Sequence, residues 1–111
     1  METSSGGLID YVSLEDARMT AENGPVVLFF NAAWCPTCRT AVADMASRQE
    51  ELGDITVFLV DYDKERDLKR VYGVSSQHTF VQIDEDGEAL TLWNGGSVDM
   101  ILTNVSRMEN N

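Results

Sequence analysis

The chain has few cysteines, histidines and basic residues, and no long apolar run. Among 111 residues there are two cysteines, Cys35 and Cys38, and one histidine, His78. A cysteine pair with only two residues between its members cannot cross-link distant segments, which excludes a secreted disulfide scaffold. Zinc wants four ligands, and no second cysteine pair completes the set. Basic residues number eight against nineteen acidic ones, a formal charge of −11. The basic residues are also scattered, which argues against nucleic acid as a partner. The acidic excess reads as a solvated surface, with steering toward a basic partner protein as the alternative. No apolar run reaches the length of a membrane span, and there is no internal repeat, low-complexity tract or linker.

What is present suits one globular domain. At 43% hydrophobic residues the chain can bury a core without disulfide or metal staples. Residues 1–7 are small and polar and read as a flexible leader, 8–108 as the domain, and 109–111 as a tail. The leader is not a signal peptide, so the sequence as it stands points to the cytoplasm. A periplasmic or membrane-anchored placement is the alternative if an export segment has been removed.

The apolar pattern gives an element order. Leu8 to Val12 is a short strand candidate. Ser13, with Asp16 three residues on, opens a helix from Leu14 to about Glu22, stopped by Asn23-Gly24-Pro25. Val26 to Phe30 is apolar without alternation, the mark of a strand covered on both faces. After the cysteines, Val42, Met45, Ala46 and Leu52 recur at helical spacing, with Gly53 as the stop. Ile55 to Asp61 is a second buried strand. Asp63 is expected to cap a helix carrying Leu68, Val71 and Tyr72 on its apolar face, ending at Gly73. Thr79 to Ile83 and Ala89 to Trp93 flank Asp84-Glu85-Asp86-Gly87, a hairpin signal. Ser97 is expected to cap a last helix with Val98, Ile101, Leu102 and Val105 on one face. The order βαβαβαββα implies an α/β sandwich: parallel pairing, helices on both faces of a mixed sheet, and a late antiparallel hairpin.

The chemistry-bearing segment is Trp34-Cys35-Pro36-Thr37-Cys38. Cysteines at i and i+3, directly after a buried strand and opening a helix, lie where such folds place their sites. The first sits beside unpaired helix N–H groups and the positive end of the helix dipole, which favour thiolate, the attacking species. The second lies about one turn on, close enough to resolve a mixed disulfide. Pro36 suits a first helical turn. Cys35 is therefore expected to be the nucleophile and Cys38 the resolving thiol. A metal half-site and a silent structural pair are the competing readings.

At this point the sequence resembles the thioredoxin superfamily, from about Leu8 to Arg107. The resemblance rests on Val26–Asn31 and Ala33-Trp34-Cys35-Pro36-Thr37-Cys38, then Val57-Phe58-Leu59-Val60-Asp61 and Tyr72-Gly73-Val74. Thr79 to Asp84, Asp86-Gly87 and Gly95-Gly96 complete it. It implies a three-layer α/β/α sandwich, exchange chemistry on protein disulfides, no cofactor beyond the Cys35–Cys38 couple, and an upstream electron-donor protein. It also implies a surface around the sulfurs built from Trp34, Pro36, Thr37, Gln77, His78 and Thr79.

Three departures stand out. The family usually has a cis-proline where this chain has His78, so a trans Gln77–His78 bond is expected. His78 then lies beside the sulfurs, with three possible roles: stabilising the Cys35 thiolate, shuttling a proton, or serving as a third metal ligand. Thioredoxins carry a buried acid and a companion lysine at the positions of Phe29 and Leu59, so water, His78 or a substrate group must handle protons here. Pro36-Thr37 replaces Gly-Pro between the cysteines, which tunes the redox potential. Trp34 reads as partner-facing or packed, Trp93 as packing, and Met19, Met45, Met100 and Met108 as helix faces or ends without a cofactor.

The leading reading is a monomeric dithiol–disulfide oxidoreductase, acting as a reductase. The alternatives are a metal- or iron–sulfur-binding module using Cys35, Cys38 and His78, and a redox-silent binding or chaperone-like domain.

Overall fold

Five strands form one sheet in the computed structural model, which describes residues 6–106. They are β1 (Gly7–Asp10), β2 (Val26–Asn31), β3 (Thr56–Asp61), β4 (Thr79–Ile83) and β5 (Ala89–Asn94), ordered β1-β3-β2-β4-β5. β1 and β2 both pair parallel to β3, whereas β4 pairs antiparallel to β2 and to β5. The helices are α1 (Leu14–Ala21), α2 (Pro36–Ser47), α3 (Gln49–Leu52), α4 (Arg66–Tyr72) and α5 (Val98–Asn104).

Side chains alternate across a strand, so β2 feeds two cores at once. Val27 and Phe29 pack with Cys38, Ala41 and Met45 of α2 and Val98 and Ile101 of α5. Val26, Leu28 and Phe30 pack on the other face with Ala17 of α1 and Leu68 of α4. The unbroken apolar run of β2 is thus explained by a layer of helices on each side. The result is the expected three-layer α/β/α sandwich with a mixed central sheet.

Several local details differ from the sequence reading. β1 starts at Gly7 and stops at Asp10, leaving Val12 76% exposed. The long second helix breaks at Arg48, whose backbone leaves the helical region (φ −120°, ψ 29°), giving α2 and α3. Asp63 does not cap α4. The N-cap is Glu65, which makes no side-chain cap bond, and Asp63 instead accepts the Trp34 indole N–H at 2.7 Å. Ser97 occupies the N-cap of α5, yet its hydroxyl donates to the Ala41 carbonyl at 3.2 Å rather than capping. The Val98 N–H lies close enough to the Asp44 carboxylate of α2 to hold its pKa down. Val71 and Leu102 are 66% and 46% exposed, and Ala46 also faces out. α4 and α5 have seven residues each, so only a narrow stripe of either reaches the sheet. Ser13, by contrast, caps α1 as read, its hydroxyl accepting the Asp16 N–H at 3.0 Å. No described helix is long and apolar enough to cross a membrane. Residues 1–5 of the expected leader, and Arg107, Met108 and the tail 109–111, lie outside the described residues.

Candidate active site

The end of β2 delivers the chain to Cys35, which caps α2 with extended backbone (φ −94°, ψ 112°). Its sulfur accepts the Cys38 N–H at 3.2 Å, one of the donors a helix start leaves unpaired. Pro36 follows at the first helical position, where its missing N–H costs nothing. Both sulfurs are buried, with Cys35 2% and Cys38 0% exposed.

Their environments drive the two thiols apart. Burial pushes Cys35 up, but the side chains of Cys38, Thr37 and Gln77 and the Cys38 N–H together bring it from 9.0 down to about 7. Burial, reinforced by the hydrogen bond to Cys35, pushes Cys38 up to about 11. The apolar floor accounts for much of that burial. Phe29 stacks on Phe80 at 4.4 Å between centroids, and Phe80 stacks on Trp93 at 5.2 Å. Where thioredoxins keep an acid, this chain therefore has a three-ring stack, and Leu59 packs against the same core.

The loop before β4 brings His78 to the sulfurs. There is no cis peptide bond among the described residues, so Gln77–His78 is trans. His78 instead has φ +64°, the only positive φ at a described non-glycine residue. That left-handed backbone is tolerable because the loop is held from both sides. The His78 N–H donates to the Phe30 carbonyl at 2.8 Å, and the His78 carbonyl accepts the Gly95 N–H at 2.8 Å. Asn94 adds a clamp, its amide donating to the Gln77 carbonyl at 3.1 Å and to Thr79 Oγ1 at 3.0 Å. The imidazole lies edge-on to Phe29, centroids 5.4 Å apart. Its Nδ1 is 3.0 Å from Thr37 Oγ1 and its Nε2 is 2.8 Å from the Gly96 carbonyl. Thr37 Oγ1 is in turn 3.2 Å from Cys35 Sγ.

Most of the residues read from the sequence thus converge. Cys35, Cys38, Thr37, Gln77 and His78 meet, Pro36 lines the entrance, and Trp34 stands 56% exposed beside them. Thr79 does not join them. It is buried, and its hydroxyl donates to the Ser76 carbonyl at 2.8 Å, holding the loop from behind. Asn94, Gly96 and Asp63 went unread as parts of the site. Gly95-Gly96 belongs to the family resemblance, but nothing in the sequence shows a carbonyl aimed at an imidazole 18 positions away. The two sulfurs and a His78 ring nitrogen lie within 4.8 Å of one another, a three-donor set that no fourth Cys, His, Asp or Glu joins among the described residues. Beside the sulfurs opens a groove of about 550 Å³, lined by Pro36, Thr37, Ala41, Asp44, His78 and Gly96 among others.

Comparison with known proteins places this geometry. The model of the AhpC/TSA family matches residues 5–99. The chain belongs to that family. It is a thioredoxin-superfamily protein, and the other similarities agree. It is 32% identical over 73 residues to thioredoxin Asp f 28 of Aspergillus fumigatus, covering 66% of this chain and 67% of that one. It is 35% identical over 81 residues to thioredoxin H5 of Oryza sativa subsp. japonica, covering 72% and 60% respectively. The crystal structure of reduced Schistosoma mansoni thioredoxin pre-protein superposes with a TM-score of 0.73 at 30% identity, over 88% of this chain and 94% of that one. The AhpC/TSA chain is a thiol–disulfide oxidoreductase by fold, motif and relatives.

Proposed function

We propose that this protein reduces protein disulfides, with Cys35 as nucleophile and Cys38 as resolving thiol. The observation that carries the reading is the Cys35 sulfur at the N-cap of α2, holding the Cys38 N–H and titrating near 7. A thiol whose pKa lies near ambient pH is the best attacking group, being both ionised and nucleophilic. A value of about 7 is also typical of reducing thioredoxin motifs, whereas strongly oxidising ones fall to about 3.5.

The exchange balances in two steps. The Cys35 thiolate attacks one sulfur of the substrate disulfide, forming a mixed disulfide and releasing the other sulfur as a thiolate that takes up a proton. Cys38 then loses its proton and attacks Cys35 Sγ, releasing the second substrate thiol and leaving the Cys35–Cys38 disulfide. An upstream donor protein returns two electrons and two protons. No cofactor enters, and a monomer suffices. Trp34 and Pro36, exposed beside the sulfurs, and Gln77 at the loop are the substrate-facing groups. Thr79 supports the loop. The domain includes Gly7, the first residue of β1, and the cytoplasm, where thiols are kept reduced, is the compartment this reading entails.

The three-donor cluster favours a second reading, a metal site of Cys35, Cys38 and His78. Both imidazole nitrogens already have partners, Thr37 Oγ1 and the Gly96 carbonyl, which places it second. Insulin reduction driven by dithiothreitol, with a midpoint potential for the couple, tests the first reading. Turnover and a potential near about −270 mV are expected, whereas a potential near about −120 mV overturns the reductase direction. Stoichiometric zinc or iron in the purified protein, with no turnover, favours the second.

A further inference from the structure

We propose that the Thr37 hydroxyl relays the Cys35 proton to His78, forming a Cys35–Thr37–His78 chain that generates the attacking thiolate. The proposal rests on the reading of Cys35 as nucleophile and adds the route by which its proton leaves.

Counting hydrogens leads to it. A carbonyl has no hydrogen to give, so at 2.8 Å from the Gly96 oxygen His78 Nε2 is a donor. In the neutral ring Nδ1 is then an acceptor, and the atom facing it at 3.0 Å is Thr37 Oγ1. Thr37 has one hydroxyl hydrogen and two neighbours, Nδ1 and the Cys35 sulfur at 3.2 Å. Both contacts are hydrogen bonds in only two arrangements. In one, the thiol donates to Oγ1 and the hydroxyl donates to Nδ1. In the other, Nδ1–H donates to Oγ1 and the hydroxyl donates to a thiolate.

The two arrangements differ by a shift of two protons along one chain. The S–H bond breaks as an O–H bond forms, and the original O–H bond breaks as an Nδ1–H bond forms. Thiol and imidazole become thiolate and imidazolium, with no change of total charge and no electron transferred. The reverse shift returns the proton to the Cys35 sulfur.

The surroundings hold this chain in place. His78 is 9% exposed, and its left-handed backbone is pinned by Phe30 and Gly95. The Gly96 carbonyl fixes which nitrogen faces Thr37, as a backbone acceptor fixes tautomers elsewhere. Phe29 and Phe80 are the rings packed around the imidazole, and they bring no competing proton acceptor. The other ionisable groups nearby are Cys38 on α2 and Asp44, whose carboxylate is paired with the Arg48 guanidinium at 3.3 Å. With Phe29 in place of an acid, the relay is the built-in proton acceptor.

The test is a double-mutant cycle on the rate of Cys35 alkylation by iodoacetamide at pH 7. Thr37→Val keeps the shape and removes the hydroxyl, Thr37→Ser keeps the hydroxyl, and His78→Asn removes the imidazole while tolerating a positive φ. Thr37→Val and His78→Asn are each expected to slow alkylation about tenfold, toward an ordinary thiol. The double variant is expected to be no slower than either, and Thr37→Ser to stay within about twofold of the unsubstituted protein. Thr37→Val within twofold of the unsubstituted protein, or losses that multiply in the double variant, overturns the relay. Nitrogen-15 NMR of the unsubstituted protein is independent of any variant's folding. The fraction of His78 rings carrying a proton on Nδ1 as well as Nε2 is expected to follow the fraction of Cys35 present as thiolate, and a ring that stays protonated on Nε2 alone while Cys35 ionises overturns the relay. Neither readout needs turnover, so failure to reduce insulin refutes the proposed function without deciding the relay.

Discussion

Selective labelling of the two thiols can be worked out from the structure. With Cys35 at about 7 and Cys38 at about 11, a solution at pH 7 holds about half of Cys35 but only about 10⁻⁴ of Cys38 as thiolate. Thiolate population alone favours Cys35 by roughly 5,000-fold. The more basic Cys38 thiolate is intrinsically the better nucleophile, by about 40- to 100-fold over four pKa units. That leaves a net preference of about 50- to 125-fold for Cys35, before the fuller burial of Cys38 adds to it. The assay is brief iodoacetamide treatment of the fully reduced protein, with the 35 and 38 positions resolved by fragment-ion mass spectrometry. Label on Cys35 is expected to dominate at pH 7 and its advantage to shrink as pH rises toward 11. Equal labelling at pH 7, or Cys38 labelled first, refutes the assignment of the low-pKa thiol to the N-cap.

Three further outcomes follow from the same geometry. Phe29→Ala removes a fully buried ring from the Phe29–Phe80–Trp93 stack and is expected to destabilise the protein by about 3–5 kcal/mol in urea unfolding. His78→Pro is expected to cost at least about 2 kcal/mol by the same assay, because proline cannot take φ +64° and has no N–H for the Phe30 carbonyl. The third concerns pH. Between about 7 and 9.0 the folded state has released the Cys35 proton while the unfolded state still holds it, so stability of the reduced form rises there. Between 9.0 and about 11 the folded state keeps the Cys38 proton that the unfolded state has lost, so stability falls. Relative to a Cys35→Ser/Cys38→Ser variant, thermal stability of the reduced protein is expected to peak near pH 9.

The sequence made the sheet and the sulfur pair legible because both depend on local pattern. Apolar runs such as Val26 to Phe30 mark strands covered on two faces, and a cysteine followed by proline and a second cysteine marks a helix start. Where partners come from far along the chain, the pattern was silent. Asp63 looks like a cap from its neighbours alone, but the Trp34 indole, 29 positions away, claims its carboxylate. Val71 and Leu102 look core-facing by helical spacing, yet the helices are too short to bury a wide stripe. The family resemblance puts His78 near the sulfurs, and the cost of a non-proline cis bond implies a trans bond before it. Its left-handed backbone was not foreseen, because Phe30 and Gly95, the groups that hold it, belong to other segments. The sequence presents Thr37 only as a residue between the cysteines that tunes potential; its contact with His78 spans 41 positions and exists only in the folded chain.

Trapping the mixed disulfide tests the central claim most directly. The claim is that Cys35 attacks and Cys38 resolves. Cys38→Ser, mixed with a protein disulfide and read by intact mass after acid quench, is expected to accumulate one covalent adduct on Cys35. Cys35→Ser is expected to form none in the same time, and the unsubstituted protein to end as an internal disulfide two hydrogens lighter. Adducts forming equally in both single variants, or in neither, contradict the account.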